Sequence, residues 1–264
     1  MVVPDVHGRT FWKAPVGKYI EEVDKVVFLG DYLDPYDEEG TDTDADAVFH
    51  NFMEIIAVKQ QYPDKVILLK GNHDQHYCSE LFNELAGGSR QDVLHWNKYN
   101  KTFNEHKRLY KLAYMEQVND IPYLFTHAGL TTFWLNQVNT KEWKLPDKEV
   151  SVDDPEIVRR INLLDFEGPG QVLLGIVGWR RSWFGDKTGS VLWADIREHS
   201  IPHAPKVYGL NKVFQVFGHT RLDGETEDLI EFDNLAMIDS QKCFIIDEGI
   251  KEKIVTVRDY EKNH

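Results

Sequence analysis

Five short motifs in this sequence combine glycine with side chains that bind metal ions or transfer protons. Carboxylate, imidazole and amide groups recur in them, and none of the five contains a cysteine. Such donors suit divalent manganese, iron or zinc, and do not by themselves choose among these ions. One motif alone would be weak, because histidine and aspartate often cap strands or face solvent. The five are Asp5-Val6-His7-Gly8, Gly30-Asp31-Tyr32-Leu33-Asp34, Gly71-Asn72-His73-Asp74, His127-Ala128-Gly129 and Gly218-His219-Thr220.

Each motif directly follows a run of apolar residues that is typical of a buried strand. In the first half of the chain these runs alternate with helical patterns, which predicts βαβ units and a largely parallel sheet. Ligands of open α/β sheets bind at the carboxyl ends of the strands, so we expect the motifs to converge there. The predicted strands are 2–3, 25–29, 65–69 and 123–125, and the predicted helices are 44–61, 77–85, 94–116 and 155–164.

The last third of the chain changes character, because short strand-like runs follow one another with turn residues between them. This pattern predicts a meander that forms a second sheet. We therefore expect an α/β chain with two sheets flanked by helices, forming one domain over residues 1–264. The acidic segment 35–45 directly follows the second motif, so we expect it to shape the rim of the ligand site. The predicted strands are 212–217, 229–232, 235–238, 243–246 and 253–257.

The order and spacing of the motifs resemble the calcineurin-like metallophosphoesterase superfamily over most of the chain. The resemblance implies a four-layer α/β/β/α sandwich of two mixed sheets. It also implies two divalent metal ions about 3.5–4 Å apart, a separation that suits the clamping of attacking and leaving oxygens. Under this resemblance Asp31 would bridge both ions. The ligands would be Asp5, His7 and Asp31 for the first ion, and Asp31, Asn72, His127 and His219 for the second.

The resemblance also implies that His73 is the general acid and that Asp34 orients it. Two divalent ions would bring about four positive charges, of which Asp5 and Asp31 would neutralise two. A phosphate would therefore be attracted locally, and a water activated by the metal pair would attack phosphorus in line. His73 would then protonate the leaving oxygen.

Two departures from the usual pattern affect these expectations. Many relatives continue the last motif as Gly-His-x-His, whereas this chain has Arg221 there, as in the phosphoprotein phosphatase branch. Segment 190–195, Ser-Val-Leu-Trp-Ala-Asp, is also similar to that branch. The branch usually has a phosphate-binding arginine at the position that Pro35 occupies here, and proline cannot donate to phosphate. The candidates for a replacement are Arg9, Arg180, Arg181 and Arg221.

Arg180 and Arg181 are the best of these candidates because tryptophans flank the pair. Trp179 and Trp183 could fix the geometry of the guanidinium groups or stack on a substrate ring. Core packing is nevertheless the more expected role of these two tryptophans.

The composition limits which binding partners and which cellular location we expect for the protein. The formal net charge of −14 opposes nonspecific binding to nucleic acid, so no nucleic-acid partner is expected. No segment approaches the roughly 20 apolar residues needed to cross a bilayer, and no signal peptide is evident, so we expect a cytoplasmic protein without a membrane partner. Two cysteines are too few for a disulfide framework. The oligomeric state is left open.

Three functions remain open at this point. The first is a metal-dependent phosphomonoesterase, for instance one acting on phosphoserine, phosphothreonine or phosphotyrosine in proteins. The second is hydrolysis of a nucleotide or dinucleotide polyphosphate or of a phosphodiester, which the same metal pair could perform. The third is a catalytically silent scaffold, which is disfavoured because the expected ligands and the His73–Asp34 pair are all present.

Overall fold

The computed structural model describes residues 1–37, 43–85, 90–146, 150–165, 170–200, 209–222, 227–232, 234–247 and 254–263. The chain divides into two compact units. The first unit comprises Met1–Lys111 and Gln241–His264, and the second comprises Leu112–Ser240. Among the described residues, no helix combines the length and the apolar character that a membrane span requires.

Strands and α-helices of the described residues are numbered in chain order. The strands are β1 Val2–Val3, β2 Val26–Phe28, β3 Val66–Leu69, β4 Tyr110–Lys111, β5 Ala113–Val118, β6 Ile121–Thr126, β7 Phe214–Phe217, β8 Ile230–Phe232, β9 Leu235–Met237, β10 Phe244–Ile245 and β11 Val255–Thr256. The α-helices are α1 Lys13–Tyr19, α2 Ala45–Gln61, α3 Asn72–His76, α4 Glu80–Leu85, α5 Trp96–Glu105, α6 Thr132–Val138, α7 Pro155–Leu163, α8 Gly170–Leu174 and α9 Val257–Asn263.

The first unit is built on a six-stranded mixed sheet in the order β11-β10-β1-β2-β3-β4. Strands β1 to β4 are parallel, and β10 and β11 pair antiparallel at one side. Every residue of β1, β2 and β3 is buried, as expected for parallel strands covered on both faces. Helix α2 is the longest flanking helix, and its N-cap Asp44 accepts hydrogen bonds from the amides of Asp46 and Ala47.

The second unit contains a five-stranded mixed sheet in the order β5-β6-β7-β9-β8. Strands β6, β7 and β9 are parallel, whereas β5 and β8 form antiparallel hairpins with their neighbours. The turn between β5 and β6 has Asn119 and Asp120 in the left-handed region, at φ 53° and 61°. Two residues with positive φ are what a tight hairpin turn requires. The two mixed sheets with flanking helices confirm the expected α/β class.

Three sequence-based predictions about the elements are wrong. The helix predicted at 94–116 ends at Glu105, and β4 and most of β5 follow instead. Strand β6, expected in the parallel sheet of the first half, belongs to the second sheet. The predicted C-terminal meander is divided, because β10 and β11 join the first sheet while β7 and β9 pair in parallel. These errors share one cause, since strand pairing is set by contacts distant in sequence and overrides local propensity.

Candidate metal centre

Three of the predicted motifs meet within the first unit. The loop after β1 runs beside the turn after β2, with the amide of His7 donating to the carbonyl of Asp31 at 2.6 Å. The amide of Gly8 likewise donates to Tyr32 at 3.0 Å. Gly71, after β3, lies so close to Asp31 that a Cβ at Gly71 would sit 2.0 Å from Asp31 Oδ1. The convergence predicted for these three motifs is therefore observed.

A fully buried aspartate ties these turns together. The carboxylate of Asp74 accepts hydrogen bonds from the amides of Gly71 at 2.8 Å, Asp31 at 2.8 Å and Tyr32 at 3.0 Å. It thereby satisfies three buried backbone N–H groups, which would destabilise the fold if they had no hydrogen-bond acceptor. Asp74 stands in the third motif, but the sequence did not indicate this structural role.

Asp31 lies in a buried cluster with two histidines. One ligand atom from each of His7, Asp31 and His73 lies within 4.8 Å of the others. His7 Nδ1 donates to the carbonyl oxygen of Leu33 at 2.9 Å, and His7 Nε2 lies 3.4 Å from Asp31 Oδ2. A backbone partner on one ring nitrogen is the usual way to orient the other toward a metal ion.

The electrostatics of this cluster fit a bound cation. Burial lowers the pKa of His7 well below its usual value, and the charges of His73 and Arg90 lower it further. Burial also raises the pKa of Asp31, and this effect outweighs the attraction of His73 for the carboxylate. A neutral imidazole and a buried carboxylate suit a divalent ion, whose charge offsets the cost of a buried anion.

Two other predicted ligands are buried in the same unit. Asp5 is 1% exposed and follows β1, and Asn72 is 2% exposed and begins α3 after β3. The groups of metal-suited donors found among the described residues do not include Asp5. For Asp5 and Asn72, the structure therefore shows burial and a position at the end of a strand of the first sheet.

His73 and Asp34 form the predicted pair. His73 Nδ1 lies 2.8 Å from Asp34 Oδ2, and the Asp34 carboxylate is almost completely buried. Burial alone would lower the pKa of His73, but the charge of Asp31 and the hydrogen bond with Asp34 raise it overall. A histidine whose protonated form is favoured in this way can act as a proton donor.

Tyr77 completes this pair, although the sequence motifs did not point to it. Its hydroxyl donates a short hydrogen bond to Asp34 Oδ1 and accepts one from the Asp92 amide at 2.9 Å. Burial and the charge of Asp34 raise the pKa of Tyr77, so the hydroxyl keeps its proton. His73 and Tyr77 thus hold different oxygens of Asp34, which orients the carboxylate. A tyrosine four residues after the histidine, on the same helical turn, was the available signal.

The two remaining predicted ligands meet in the second unit. His127 follows β6 and His219 follows β7, and these parallel neighbours bring their carboxyl ends together. His127 Nε2 lies 3.0 Å from His219 Nδ1, and the Gly218 amide donates to the His127 carbonyl at 2.8 Å. Two imidazoles with facing nitrogens can share a proton or bind the same metal ion.

Four of the candidate site residues adopt left-handed backbone conformations. The φ angles are 45° for His7, 50° for Asp31, 58° for Asp34 and 67° for His219. For a residue other than glycine, each such conformation raises the free energy by about 1 kcal/mol or more. Strain of this kind is typical of functional sites, where the orientation of a side chain matters more than local stability.

The four candidate arginines have different surroundings. Arg181 donates to Thr220 Oγ1 at 3.1 Å and lies 3.7 Å from the Asp195 carboxylate. The Arg180 guanidinium lies 3.9 Å from the centroid of the Trp179 ring. Arg9 is 8% exposed, with its guanidinium 5.1 Å from the Tyr36 ring centroid, and Arg221 is exposed. Arg181 is thus the candidate held beside the His219 motif. Core packing, the role expected of Trp179 and Trp183, is wrong because these side chains are 46% and 100% exposed.

Arg90 is a further guanidinium at the second motif that sequence reasoning missed. Its Nη1 donates to the carbonyl oxygens of Asp34 at 2.6 Å and Pro35 at 2.9 Å. The guanidinium lies 3.4 Å from the centroid of the Tyr36 ring. A cavity of about 400 Å³ opens beside it, lined in part by Asp34 and Tyr99. More than fifty residues separate Arg90 from Pro35, so no local pattern connects them.

Two solved structures resemble the chain at low sequence identity. One is a serine/threonine phosphatase from Saccharomyces cerevisiae with similarity to human phosphatase PP5; it is 15% identical, covers 97% of this chain and 77% of its own, and has a TM-score of 0.46. The other is the phosphatase domain of the Legionella effector WipB, 15% identical, with coverages of 79% and 77% and a TM-score of 0.43. No curated protein sequence matches the chain.

A family model gives the decisive comparison. The model of the calcineurin-like phosphoesterases matches residues 1–221, which include all five motifs and parts of both units. The match covers far more than half of the 264 residues. Members of this family hydrolyse phosphate esters with divalent metal ions, and His7 and Asp31 supply neighbouring buried donors for such an ion. The chain belongs to the calcineurin-like phosphoesterase family and is a hydrolase of phosphate esters.

Proposed function

We propose that this chain is a phosphomonoesterase that works with two divalent metal ions and uses His73 as its general acid. The observation that carries the proposal is the His73–Asp34 pair, with Nδ1 2.8 Å from Oδ2, beside the donors His7 and Asp31. An acid held next to metal ligands can protonate a leaving oxygen whose phosphate the metal ions bind.

Two ligand sets are assigned under this proposal. Donor chemistry supports them, since carboxylate, imidazole and amide groups without thiolate suit manganese, iron or zinc. The first set is Asp5, His7 and Asp31, and the second is Asp31, Asn72, His127 and His219. The family model matches residues 1–221, which belong to both units, and β10 of the C-terminal segment pairs with β1; both observations support the proposal of one catalytic domain over residues 1–264. When bound, the ions supply Lewis acidity that stabilises charge on the phosphate and makes water more acidic.

The side chains of this protein then perform the proton transfer. Hydrolysis joins a water oxygen to phosphorus and breaks the bond between phosphorus and the leaving oxygen. His73 donates a proton to that oxygen, the proton that the water gives up restores the acid, and the Nδ1–H of His73 keeps the hydrogen bond with Asp34. Tyr77 holds the second oxygen of Asp34, so the carboxylate cannot rotate away from the imidazole. A guanidinium, for which Arg181 is the best supported choice, binds the phosphate oxygens.

Substitution of His73 tests the acid. His73→Asn should reduce turnover of phenyl phosphate, which has a poor leaving group, by about 10²–10⁴-fold, the usual contribution of a general acid. Turnover of p-nitrophenyl phosphate should fall much less, because nitrophenolate leaves without help. Metal content, measured by mass spectrometry after dialysis, should change little. His50→Asn is the matched control, since the His50 side chain is 77% exposed. Equal activity of wild type and His73→Asn on phenyl phosphate would remove the proton-donor role.

Two further measurements separate the alternative functions. Asp31→Asn should lose both metal and activity, because this carboxylate is assigned to both ions. The manganese-loaded wild type should hydrolyse p-nitrophenyl phosphate and leave bis(p-nitrophenyl) phosphate intact. Turnover of the bis-ester would favour a phosphodiesterase instead, and turnover of dinucleotide polyphosphates alone would favour the polyphosphate hydrolase. If none of these compounds reacts, the scaffold explanation is supported.

A further inference from the structure

A short loop in the second unit is closed tightly at its base. We call residues 178–186 the aromatic loop. The Trp179 amide donates to the Asp186 carbonyl at 2.8 Å, and the Asp186 amide donates to the Val177 carbonyl at 2.9 Å. Within the loop, the amide of Gly185 donates to Ser182 at 2.9 Å. These backbone bonds give the loop a defined conformation.

A buried carboxylate anchors the same loop. Glu198 is 1% exposed, and its oxygens accept from the amides of Arg180 at 3.2 Å and Gly189 at 2.8 Å. Gly178 packs so closely on this carboxylate that a Cβ there would lie 2.0 Å from Glu198 Oε1. The base of the loop is therefore built into the unit and does not depend on its exposed side chains.

Two large aromatic side chains at the tip of the loop are exposed to solvent. Trp183 is 100% exposed and Phe184 is 99% exposed, while Trp179 near the base is 46% exposed. Neighbouring exposed aromatics on a firmly anchored loop mark an interaction surface, because they bury their area only against a partner. Small molecules bind in concave sites that enclose them. Side chains this exposed form a convex tip, which fits a macromolecule.

The charges around the tip indicate an anionic partner. Arg180 and Arg181 precede Trp183, and Arg180 stacks on Trp179 at 3.9 Å. The chain as a whole carries a formal charge of −14, which opposes adsorption to nucleic acid or to an anionic bilayer. The two arginines therefore favour a partner with a small, localised negative charge, and a phosphate group on a polypeptide has this property.

The loop is also connected to the candidate centre. Arg181 donates to Thr220 Oγ1 at 3.1 Å, and Thr220 directly follows His219. A phosphate bound by Arg181 would therefore lie beside an assigned metal ligand, with Trp183 only two residues away along the chain. Residues that flank the phosphate in a polypeptide are then the groups within reach of the aromatic tip.

We propose that the aromatic loop is a docking site for the polypeptide of a phosphoprotein substrate. Trp183 and Phe184 bind apolar side chains next to the phosphorylated residue, and Arg181 binds the phosphate. This inference rests on the proposed function, since it names the substrate class of that site. It assigns the tip of the loop, Trp183 and Phe184, to recognition of the polypeptide, whereas Arg181 contacts the phosphate itself.

The test compares the double variant Trp183→Ser/Phe184→Ser with wild type. Both side chains are exposed, so the variant should fold normally. The matched control is Val93→Ser/Leu94→Ser, which removes two other exposed apolar side chains, 70% and 89% exposed, from the first unit. The substrates are p-nitrophenyl phosphate and ten-residue phosphotyrosine and phosphothreonine peptides with leucine and phenylalanine beside the phosphorylated residue. The double variant should raise KM for the peptides at least tenfold, with kcat and the constants for p-nitrophenyl phosphate unchanged within twofold.

A binding measurement keeps this test separate from the test of the proposed function. Fluorescence anisotropy of a labelled phosphopeptide should give at least tenfold weaker binding by the double variant, whether or not turnover occurs. Equal peptide binding by the double variant and wild type would overturn the docking site. Wild type that binds the peptide through this loop but hydrolyses no phosphate ester would instead contradict only the proposed function. Loop-dependent sedimentation with phosphatidylserine vesicles would also overturn the inference, in favour of a membrane contact.

Discussion

Replacing Gly71 by alanine is expected to disable the metal site by adding a single methyl group. Gly71 has φ −96° and ψ 178°, a conformation that alanine adopts without strain. The effect must therefore come from contacts. A Cβ at this position would lie 2.0 Å from Asp31 Oδ1, 2.6 Å from the Asp31 amide nitrogen and 2.7 Å from Asp31 Cγ. Part of this obstacle is backbone, which cannot rotate away.

The displacement can be worked out from these distances. Ordinary contacts of a Cβ begin at 3.4 Å, so Asp31 Oδ1 would have to move by about 1.4 Å. Coordination distances tolerate changes of only about 0.2 Å. Misplacing a reacting or binding group by about 1 Å can cost of the order of 100-fold in rate, equivalent to about 3 kcal/mol. The same oxygen accepts from the His73 amide at 2.9 Å, so the acid would shift as well.

The assay is manganese-dependent turnover of p-nitrophenyl phosphate, together with metal content after dialysis. Gly71→Ala should lose about 100-fold or more in kcat/KM and bind less metal. Overpacking should also lower the free energy of unfolding by about 1–3 kcal/mol.

Gly17→Ala is the matched control. Gly17 lies in α1, and outside its chain neighbours and the adjacent helix backbone no atom lies within 4 Å of its Cβ position, so alanine should leave activity unchanged and stabilise the helix by up to about 1 kcal/mol. Wild-type metal content and turnover in Gly71→Ala would show that the position of Asp31 does not govern metal binding. The ligand assignment of Asp31 would then fail.

Two further predictions concern buried hydrogen-bonding groups. Tyr77→Phe removes the donor to Asp34 Oδ1, so turnover of phenyl phosphate should fall about tenfold while p-nitrophenyl phosphate changes less than twofold; an equal loss on both substrates would contradict a role through His73. Burial lowers the pKa of His199 from 6.5 to about 4, so the native state stays neutral where the unfolded chain binds a proton. Stability should therefore fall as pH drops from about 6.5 to about 4, by up to about 3 kcal/mol, and urea unfolding of His199→Gln should lack this part of the pH dependence. Identical pH profiles for the variant and wild type would contradict the assignment.

Much of the first unit follows from local sequence. The apolar runs predict β1, β2 and β3 almost to the residue, because buried parallel strands need continuous apolar side chains. Helix α2, predicted at 44–61, spans Ala45–Gln61, since Asp44 is a strong N-cap and the periodic apolar face continues for more than four turns. The family resemblance predicts that Asp34 orients His73, and the two side chains lie 2.8 Å apart.

Contacts between distant residues account for what the sequence did not predict. Tyr77, Arg90 and Asp74 hold the predicted side chains in place, but apart from the spacing of Tyr77 four residues after His73, nothing in their local patterns indicates these roles. Their roles depend on atoms more than forty residues away, such as the Asp31 amide for Asp74.

The sequence by itself therefore showed where metal-binding and proton-transferring side chain types occur, because glycine-bearing turns after apolar strands are local features, and the family resemblance predicted their roles. Only the tertiary structure decided how those residues are supported and which sheet each strand joins. It also decided which aromatic side chains remain in water, as Trp183 and Phe184 do. The physical reason is that burial and strand pairing depend on residues that are distant in sequence but close in the folded chain, and local sequence does not reveal those contacts.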